Sequence, residues 1–504
     1  MRIALLLFLV LGGPIRAGGA FQPAEPPKHV WSSEKLLDGV SRIAIQSGGR
    51  VKPFETFARE GVELLTGRQK FQEMRATEIV VSMIFEPQLW QNVRFVELNH
   101  KELRRDLELD PGQKYVSPEE LGRSPRLMPL FGELQAKEQV QEKLTPYFQA
   151  VQRLGNQMSF INELVAGRSL RFVPPTAEEG RKTSAWISMD QAPDEFKLRF
   201  TLIGATWVNA DPATHARVPE HAGKFQELAR SRNAAVYPSA SALDREVKFN
   251  RSHPFRWAWI AALLSAILLS FAVFSPAPWL YASGMGLFLL SFVTQIYGFV
   301  MRCLIAGRPP VTNMYESVIW VAFGCMLFGA ILEWFYRKRV IAIGALAFAI
   351  VALIIVDNAS GVVDDSIHPL EPVLRSNLWL TVHVLTITLG YSAFALSLVL
   401  GNIGLSQWAL FGKESSRLPV SQLAFFAYRA VQVGVLLLAA GTILGGVWAD
   451  YSWGRFWGWD PKETWALIAL LGYLALIHAR YRGMVRPMGF LAGCVAAFLG
   501  VLMA

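Results

Sequence analysis

The hydrophobic pattern changes character midway along the chain. From Trp257 onward, apolar runs long enough to cross about 30 Å of hydrocarbon recur near 257–274, 279–303, 315–335, 340–356, 377–402, 429–448, 464–479 and 487–504, predicting eight transmembrane helices. Residues 21–255 lack such runs and read as a soluble, mixed α/β domain. Within it, Glu55–Gly67 has apolar positions at helical spacing, Val140–Val165 carries a similar pattern, and Phe196–Val208 reads as a strand or hairpin. At the start, Arg2 precedes the apolar stretch Ile3–Leu11, and small residues follow at Ala17 and Ala20. A basic residue, a short apolar core and a small-residue cleavage site make 1–20 a secretory signal peptide, because so short a core does not span a bilayer. The expectation is a polytopic α-helical membrane protein: a signal peptide at 1–20, a soluble extracytoplasmic domain at 21–255 and a transmembrane domain at 256–504.

Charge sharpens this division. The chain is 52% hydrophobic and 18% charged; 35 Lys+Arg and 30 Asp+Glu precede Trp257, and only 14 and 10 follow it. The net charge of +9 would suit nucleic acid, but no basic helix or Lys/Arg run supports that, so nucleic acid is not an expected partner. Instead, Arg337, Lys338, Arg339, Lys413, Arg417, Arg480, Arg482 and Arg486 fall in loops on one side. The other side holds Asp357, Asp364, Asp365, Glu371, Asp450, Asp460 and Glu463 against Arg308, Arg375, Arg455 and Lys462. Basic loops face the cytoplasm; this places the N-terminal domain and the segment around Trp457 outside a bacterial cytoplasmic (inner) membrane, as the signal peptide does independently. Arg302 and Arg429, at span ends, leave the balance unchanged. Cys303, Cys325 and Cys494 all lie in apolar stretches, which excludes a disulfide framework and a thiol-exchange motif.

The chemistry concentrates in Trp448–Trp465, W-A-D-Y-S-W-G-R-F-W-G-W-D-P-K-E-T-W, with Trp448, Trp453, Trp457, Trp459, Trp465, Tyr451 and Phe456 in 18 residues. An interfacial aromatic belt needs one or two rings per span end. Seven, with Gly454 and Gly458 between them, make a surface for a large planar, mostly apolar ligand. Asp460, Pro461 and Glu463 match N-cap, N1 and N3 of a helix, and Asn313 and Glu316 repeat that spacing at the third span. Capping is the default role of Asp460 and Glu316, and ligand contact is the alternative. Gly441-x-x-x-Gly445 is a helix-packing motif.

Ionisable groups at membrane depth are functional candidates. His383 lies about 7 Å inside the fifth span and His478 about 21 Å inside the seventh, at 1.5 Å per residue. Histidine is the natural axial ligand of haem iron, but at these depths the pair serves two positions rather than one iron, each needing a further ligand. His368 reads as solvated in the loop before the fifth span. His29, His100, His215, His221 and His253 show no metal-ligand spacing.

W-G-R-F-W-G-W-D-P-K-E-T-W resembles the tryptophan-rich WWD signature of haem-handling proteins in cytochrome c maturation. The D-P-K-E-T-W ending, P-V-T-N-M-Y-E-S, H-V-L-T-I-T-L-G-Y-S-A-F at His383 and A-L-I-H-A-R at His478 are similar to the CcsA/ResC branch of the System II cytochrome c synthase, across about 257–504. G-G-R-V-K-P-F-E-T-F-A-R-E at 48–60 is similar, more weakly, to a segment preceding this module in some bacterial versions. The resemblance implies a synthase subunit that carries haem b as cargo, displays it outside the membrane, and supports thioether formation with the CxxCH motif of apocytochrome c. It implies His383 as an outer and His478 as a deep axial ligand. Trp453, Gly454, Trp457, Gly458, Trp459 and Asp460 would then lie at the porphyrin, with a CcsB/ResB-like membrane subunit as partner. The family's second outer histidine has no counterpart after His478, so truncation at Ala504 or a substitute such as His368 is expected. A transporter of another planar solute, and the System I haem lyase or delivery protein, are the alternatives.

Overall fold

The computed structural model describes residues 23–504 apart from 28–33, 111, 210, 276, 310, 359–362, 370–376 and 413–418. The expected signal peptide and the loop Lys413–Arg417 lie outside the described residues. The chain divides into two compact units, Met1–Arg251 and Ser252–Ala504.

The first unit is mainly helical. Among the described residues its strands form three two-stranded antiparallel pairs, so strand content there is smaller than a mixed α/β reading anticipates. The longest pair, β1 (Ala44–Ser47) with β2 (Arg50–Pro53), turns at Gly48 and Gly49, whose φ angles of 60° and 80° suit a two-residue hairpin. Helices α1 (Glu34–Ser41), α2 (Phe54–Thr66), α3 (Ala76–Phe85), α4 (Pro146–Val165), α5 (Asp194–Val208), α6 (Val218–Arg232) and α7 (Ala240–Ser252) carry most of the core. α2 follows its expected periodicity and stops at Gly67 in the left-handed region. α4 starts only at Pro146, capped by Thr145, so Val140–Leu144 is not part of it.

Phe196–Val208 is a helix, not a strand or hairpin. The alternation F-K-L-R-F-T-L covers only its first two turns. Phe196, Phe200, Ile203 and Trp207, spaced by four, three and four, form one face in the core, where Phe196 and Phe200 meet Phe225 of α6. Pro193 before the helix, with Asp194 and Glu195 in its first turn, supplies the start signal. α7 is held by charge: Glu246 takes Arg50 at 2.8 and 3.0 Å and Thr56 Oγ1 at 2.8 Å, while Arg251 reaches Asp38 at 2.6 Å.

The second unit is a helix bundle: α8 (Pro254–Phe274), α9 (Pro278–Ala306), α10 (Met314–Tyr336), α11 (Val340–Asn358), α12 (Asn377–Phe411), α13 (Val420–Trp453), α14 (Pro461–Tyr481) and α15 (Pro487–Met503). Among the described residues seven helices are long and apolar enough to cross a membrane. The eighth expected span, α15, has 17 residues, about 26 Å at 1.5 Å per residue, and falls short of that length. α12 and α13 run to 35 and 34 residues, well past the apolar runs that predicted them. α8 packs on α9 and α11, α10 on α11 and α12, and α12 on α13 and α15. Small polar side chains bridge helices, as Ser265 Oγ does to the Gly284 carbonyl (2.7 Å) and Ser291 Oγ to Ala258 (2.8 Å). Phe394 of α12 stacks on Tyr473 of α14 at 3.7 Å.

Candidate functional site

Two sharp helix ends create the tryptophan-rich loop. α13 stops at Trp453 because Gly454 adopts φ 68° and its N–H closes onto the Asp450 carbonyl at 2.8 Å. α14 begins at Pro461 because Asp460 caps it: Asp460 Oδ1 accepts the Glu463 N–H at 2.8 Å. The Glu463 carboxylate in turn accepts the N–H groups of Asp460 (3.4 Å) and Gly458 (2.7 Å), completing the expected capping box. Arg455 lies 5.8 Å over the Trp453 ring and 3.9 Å from Glu463. It passes so close to Gly458 that a Cβ there would sit 0.9 Å from its Nη1. Trp459 holds φ at 56°, a backbone state costing about 1–3 kcal/mol for a bulky residue, while its ring is 69% exposed. Phe456 folds back along α13 to lie over Gly446.

The tryptophans form two edge-on pairs, Trp448–Trp453 at 4.7 Å and Trp457–Trp459 at 5.8 Å between ring centres. The indole N–H groups of Trp448 and Trp457 are buried and meet no acceptor among the described residues. Buried donors are ordinarily satisfied, which makes these two exceptions within the cluster. His383 joins this cluster from α12. Its ring lies parallel to Trp448, 5° between planes and 6.4 Å between centres. Its Nδ1 is 2.7 Å from the Gly441 carbonyl. A carbonyl only accepts, so Nδ1 carries the proton and Nε2 keeps its lone pair, the tautomer a metal ligand needs.

His478 is prepared in the same way but stands elsewhere. Its Nδ1 donates to the Leu474 carbonyl one turn earlier at 2.7 Å, and its ring is exposed on the bundle surface. α12 and α14 start from the same end, since α13 returns between them. His383 is then about 9 Å and His478 about 26 Å along, so the two imidazoles occupy separate levels. His368 Nε2 pairs with Asp364 at 2.9 Å on an exposed loop.

Glu316 does not touch the tryptophan cluster. Asn313 caps α10, accepting the Glu316 N–H at 2.8 Å, but the Glu316 carboxylate bonds the N–H and hydroxyl of Thr312 (2.9 and 2.8 Å) and Arg302 (2.9 and 3.2 Å). Both side chains of the Arg302–Glu316 pair are about 2% exposed or less. Arg302 also donates to the Asp365 carbonyl at 3.0 Å and lies 4.8 Å over the Tyr315 ring. Asn313 Nδ2 donates to the carbonyls of Asp364 (3.3 Å) and Ser366 (3.4 Å), and Arg308 donates to the Thr312 hydroxyl oxygen and to the His368 carbonyl. Sequence reasoning counted Arg302 only as a span-end charge, and missed the Gly441 carbonyl altogether. A basic residue at the end of an apolar run, one helical turn before the end of α9 at Ala306, is the available signal for the first.

Residues 311–504 match the family model described as cytochrome C assembly protein. The chain is 27% identical over 519 residues to Protein NrfI of Wolinella succinogenes, covering 96% of this chain and 55% of that protein; it thus spans about half of NrfI's length. It is 33% identical over 225 residues to the cytochrome c biogenesis protein CcsA of Synechococcus sp. (strain CC9311), covering 36% of this chain and 70% of the relative. With the CcsA of Prochlorococcus marinus (strain MIT 9303) identity is 30% over 261 residues, 44% of this chain and 80% of the relative.

Proposed function

Since the chain belongs to the CcsA/ResC type of cytochrome c biogenesis protein, we propose that it binds haem b as cargo and presents it for covalent attachment to apocytochrome c. The observation carrying this reading is the His383 imidazole, its Nδ1 committed to Gly441 and its Nε2 free, set beside Trp448 and Trp453. Trp453, Trp457 and Trp459 offer faces and edges to the porphyrin. Gly454, Gly458 and Asp460 hold the loop in shape. His383 is the outer axial ligand. His478, exposed on the bundle surface, is the deep ligand, completed by a CcsB/ResB-like subunit packed against it.

In this reading residues 1–20 export the N-terminal domain 21–255, and the tryptophan loop faces the same outer side of the cytoplasmic membrane. Each thiol of the client's CxxCH adds across a haem vinyl group: a C–S bond forms on one vinyl carbon and the proton goes to the other, with no net oxidation. Neither alternative, a transporter of another planar solute or a System I haem lyase, is favoured by the family. The test is the visible spectrum of the chain purified with its CcsB-like partner. A Soret band is expected, weakened or shifted in His383→Ala and in His478→Ala, with cytochrome c yield falling in both. Wild-type spectra and yield in both variants would overturn the ligand assignments.

A further inference from the structure

Resting on the reading of His383 as an iron ligand, we infer that three glycines of α13, Gly441, Gly445 and Gly446, are positioning residues that fix the outer imidazole and the tryptophan loop in one register. Gly441 and Gly445 are one turn apart, on the face turned to α12. A Cβ on Gly441 would lie 2.8 Å from the Cα of Ile387, so only glycine lets the two backbones close until the Gly441 carbonyl reaches His383 Nδ1 at 2.7 Å. A Cβ on Gly445 would lie 2.6 Å from His383 Cε1 and 2.8 Å from Nδ1. The ring therefore rests on the bare Cα of Gly445, with Trp448 alongside. Gly446 points a further 100° round the helix, where a Cβ would lie 2.6–2.8 Å from three atoms of the Phe456 ring. Phe456 comes from the loop and folds back about 10 Å along α13 to reach it.

Adjacent residues thus seat the two halves of the site: Gly445 the imidazole, Gly446 the tryptophan loop. Neither contact leaves space for a methyl group. Ring and helix backbone are stiff on both sides, so an added Cβ moves the imidazole or the loop rather than being absorbed. Gly434, two turns before Gly441 on the same helix, also packs against α12; a Cβ there would lie 2.5 Å from Phe394 Cε1. It is far from both rings and serves as the control for helix packing alone.

The experiment uses the full chain purified with its partner subunit, compared per mole of protein. Gly434→Ala is expected to lower the amount of protein and leave the spectrum per mole unchanged. Gly445→Ala is expected to lose the His383-dependent part of the spectrum, matching His383→Ala. Gly446→Ala is expected to keep the band position that depends on His383 while haem per mole of protein and cytochrome c yield fall several-fold. Should Gly445→Ala fail to accumulate, His383→Ala/Gly445→Ala has no ring to strike: free imidazole is expected to restore the spectrum of His383→Ala, and the double variant should need about tenfold more of it. A wild-type spectrum in Gly445→Ala, or equal imidazole rescue of the two backgrounds, overturns the inference while His383→Ala still shows a loss. An unchanged spectrum in His383→Ala itself overturns the ligand reading beneath it.

Discussion

Two helix starts in the bundle share one sequence spacing and do opposite things with it. At α10, Asn313 caps and Glu316 sits three residues on; at α14, Asp460 caps and Glu463 sits three residues on. Glu463 turns back to its own cap and to Gly458, so its carboxylate organises the loop that precedes the helix. Glu316 gives one carboxylate oxygen to Thr312 before its cap but turns the other inward to Arg302, and the pair is sealed from solvent. What separates them is the neighbour. α9 places a guanidinium against Glu316; α14's start has only Arg455, 45% exposed, at 3.9 Å. One motif therefore makes a fixed anchor in one place and a shaped, open loop in the other. Arg302, together with Asn313 and Arg308, holds the segment 364–368 by its carbonyls.

The largest effect should come from breaking the sealed pair. Arg302→Met leaves the Glu316 carboxylate buried and uncompensated, which costs about 3–5 kcal/mol. Denaturant unfolding in detergent should register it, or the protein should fail to accumulate. Arg302→Met/Glu316→Leu removes both charges and should recover most of the loss, since apolar pairs often replace buried ion pairs at little cost. A harmless single substitution would mean that α10's start is as open as α14's, and the contrast would vanish.

At α14 the cost is smaller because the substitution removes one cap and leaves no ion of a sealed pair without its counter-ion. Asp460→Ala removes one cap and should cost about 1 kcal/mol. Its second consequence separates it from a plain capping loss: with the box open, Glu463 no longer orders Gly458. The haem spectrum should then broaden or weaken even where the protein remains folded. A normal spectrum in a destabilised Asp460→Ala would confine that residue to capping.

How much of this the residues announced depends on the range of the interaction. The membrane helices were legible because length and apolarity are local properties, and the caps because a side chain three residues from an N–H is local too. α5 reads as a strand because Phe196–Leu202 fits both periods, and only the spacing out to Trp207 selects the helical one. Arg302 and the glycine seat were not legible in full. The motif Gly441-x-x-x-Gly445 announces a close helix contact, but not that an imidazole fills it. Gly446 carries no pattern; its role exists only because Phe456 folds back. The tryptophan cluster was visible as composition, while the unpartnered N–H groups of Trp448 and Trp457 appear only once the chain is folded.

Trp459 sets stability against shape. Its φ of 56° is a state glycine adopts freely, and its exposed ring loses little burial on removal. Trp459→Gly should relieve backbone strain while giving up the edge contact with Trp457 and adding freedom to the unfolded chain. The net change is expected to be a gain of no more than about 1 kcal/mol. Haem retention should nevertheless fall. A drop in both stability and retention would mean that the ring is part of the packing, and that the loop is less open than its contrast with α10 requires.

The smallest effect should follow His368→Ala, and it tests what the anchor at α10 holds. His368 pairs with Asp364 across an exposed surface, where such pairs contribute about 0–1 kcal/mol. The segment is gripped instead through the carbonyls of Asp364, Asp365, Ser366 and His368, by Asn313, Arg302 and Arg308, none of which needs the imidazole. Removing it should leave unfolding within about 0.5 kcal/mol of the parent and leave the haem spectrum unchanged. A spectral loss comparable to that of His383→Ala would give His368 an iron to bind, with Asp364 orienting its ring. The buried pair at α10 would then be the support of a second outer ligand rather than a clamp on a loop.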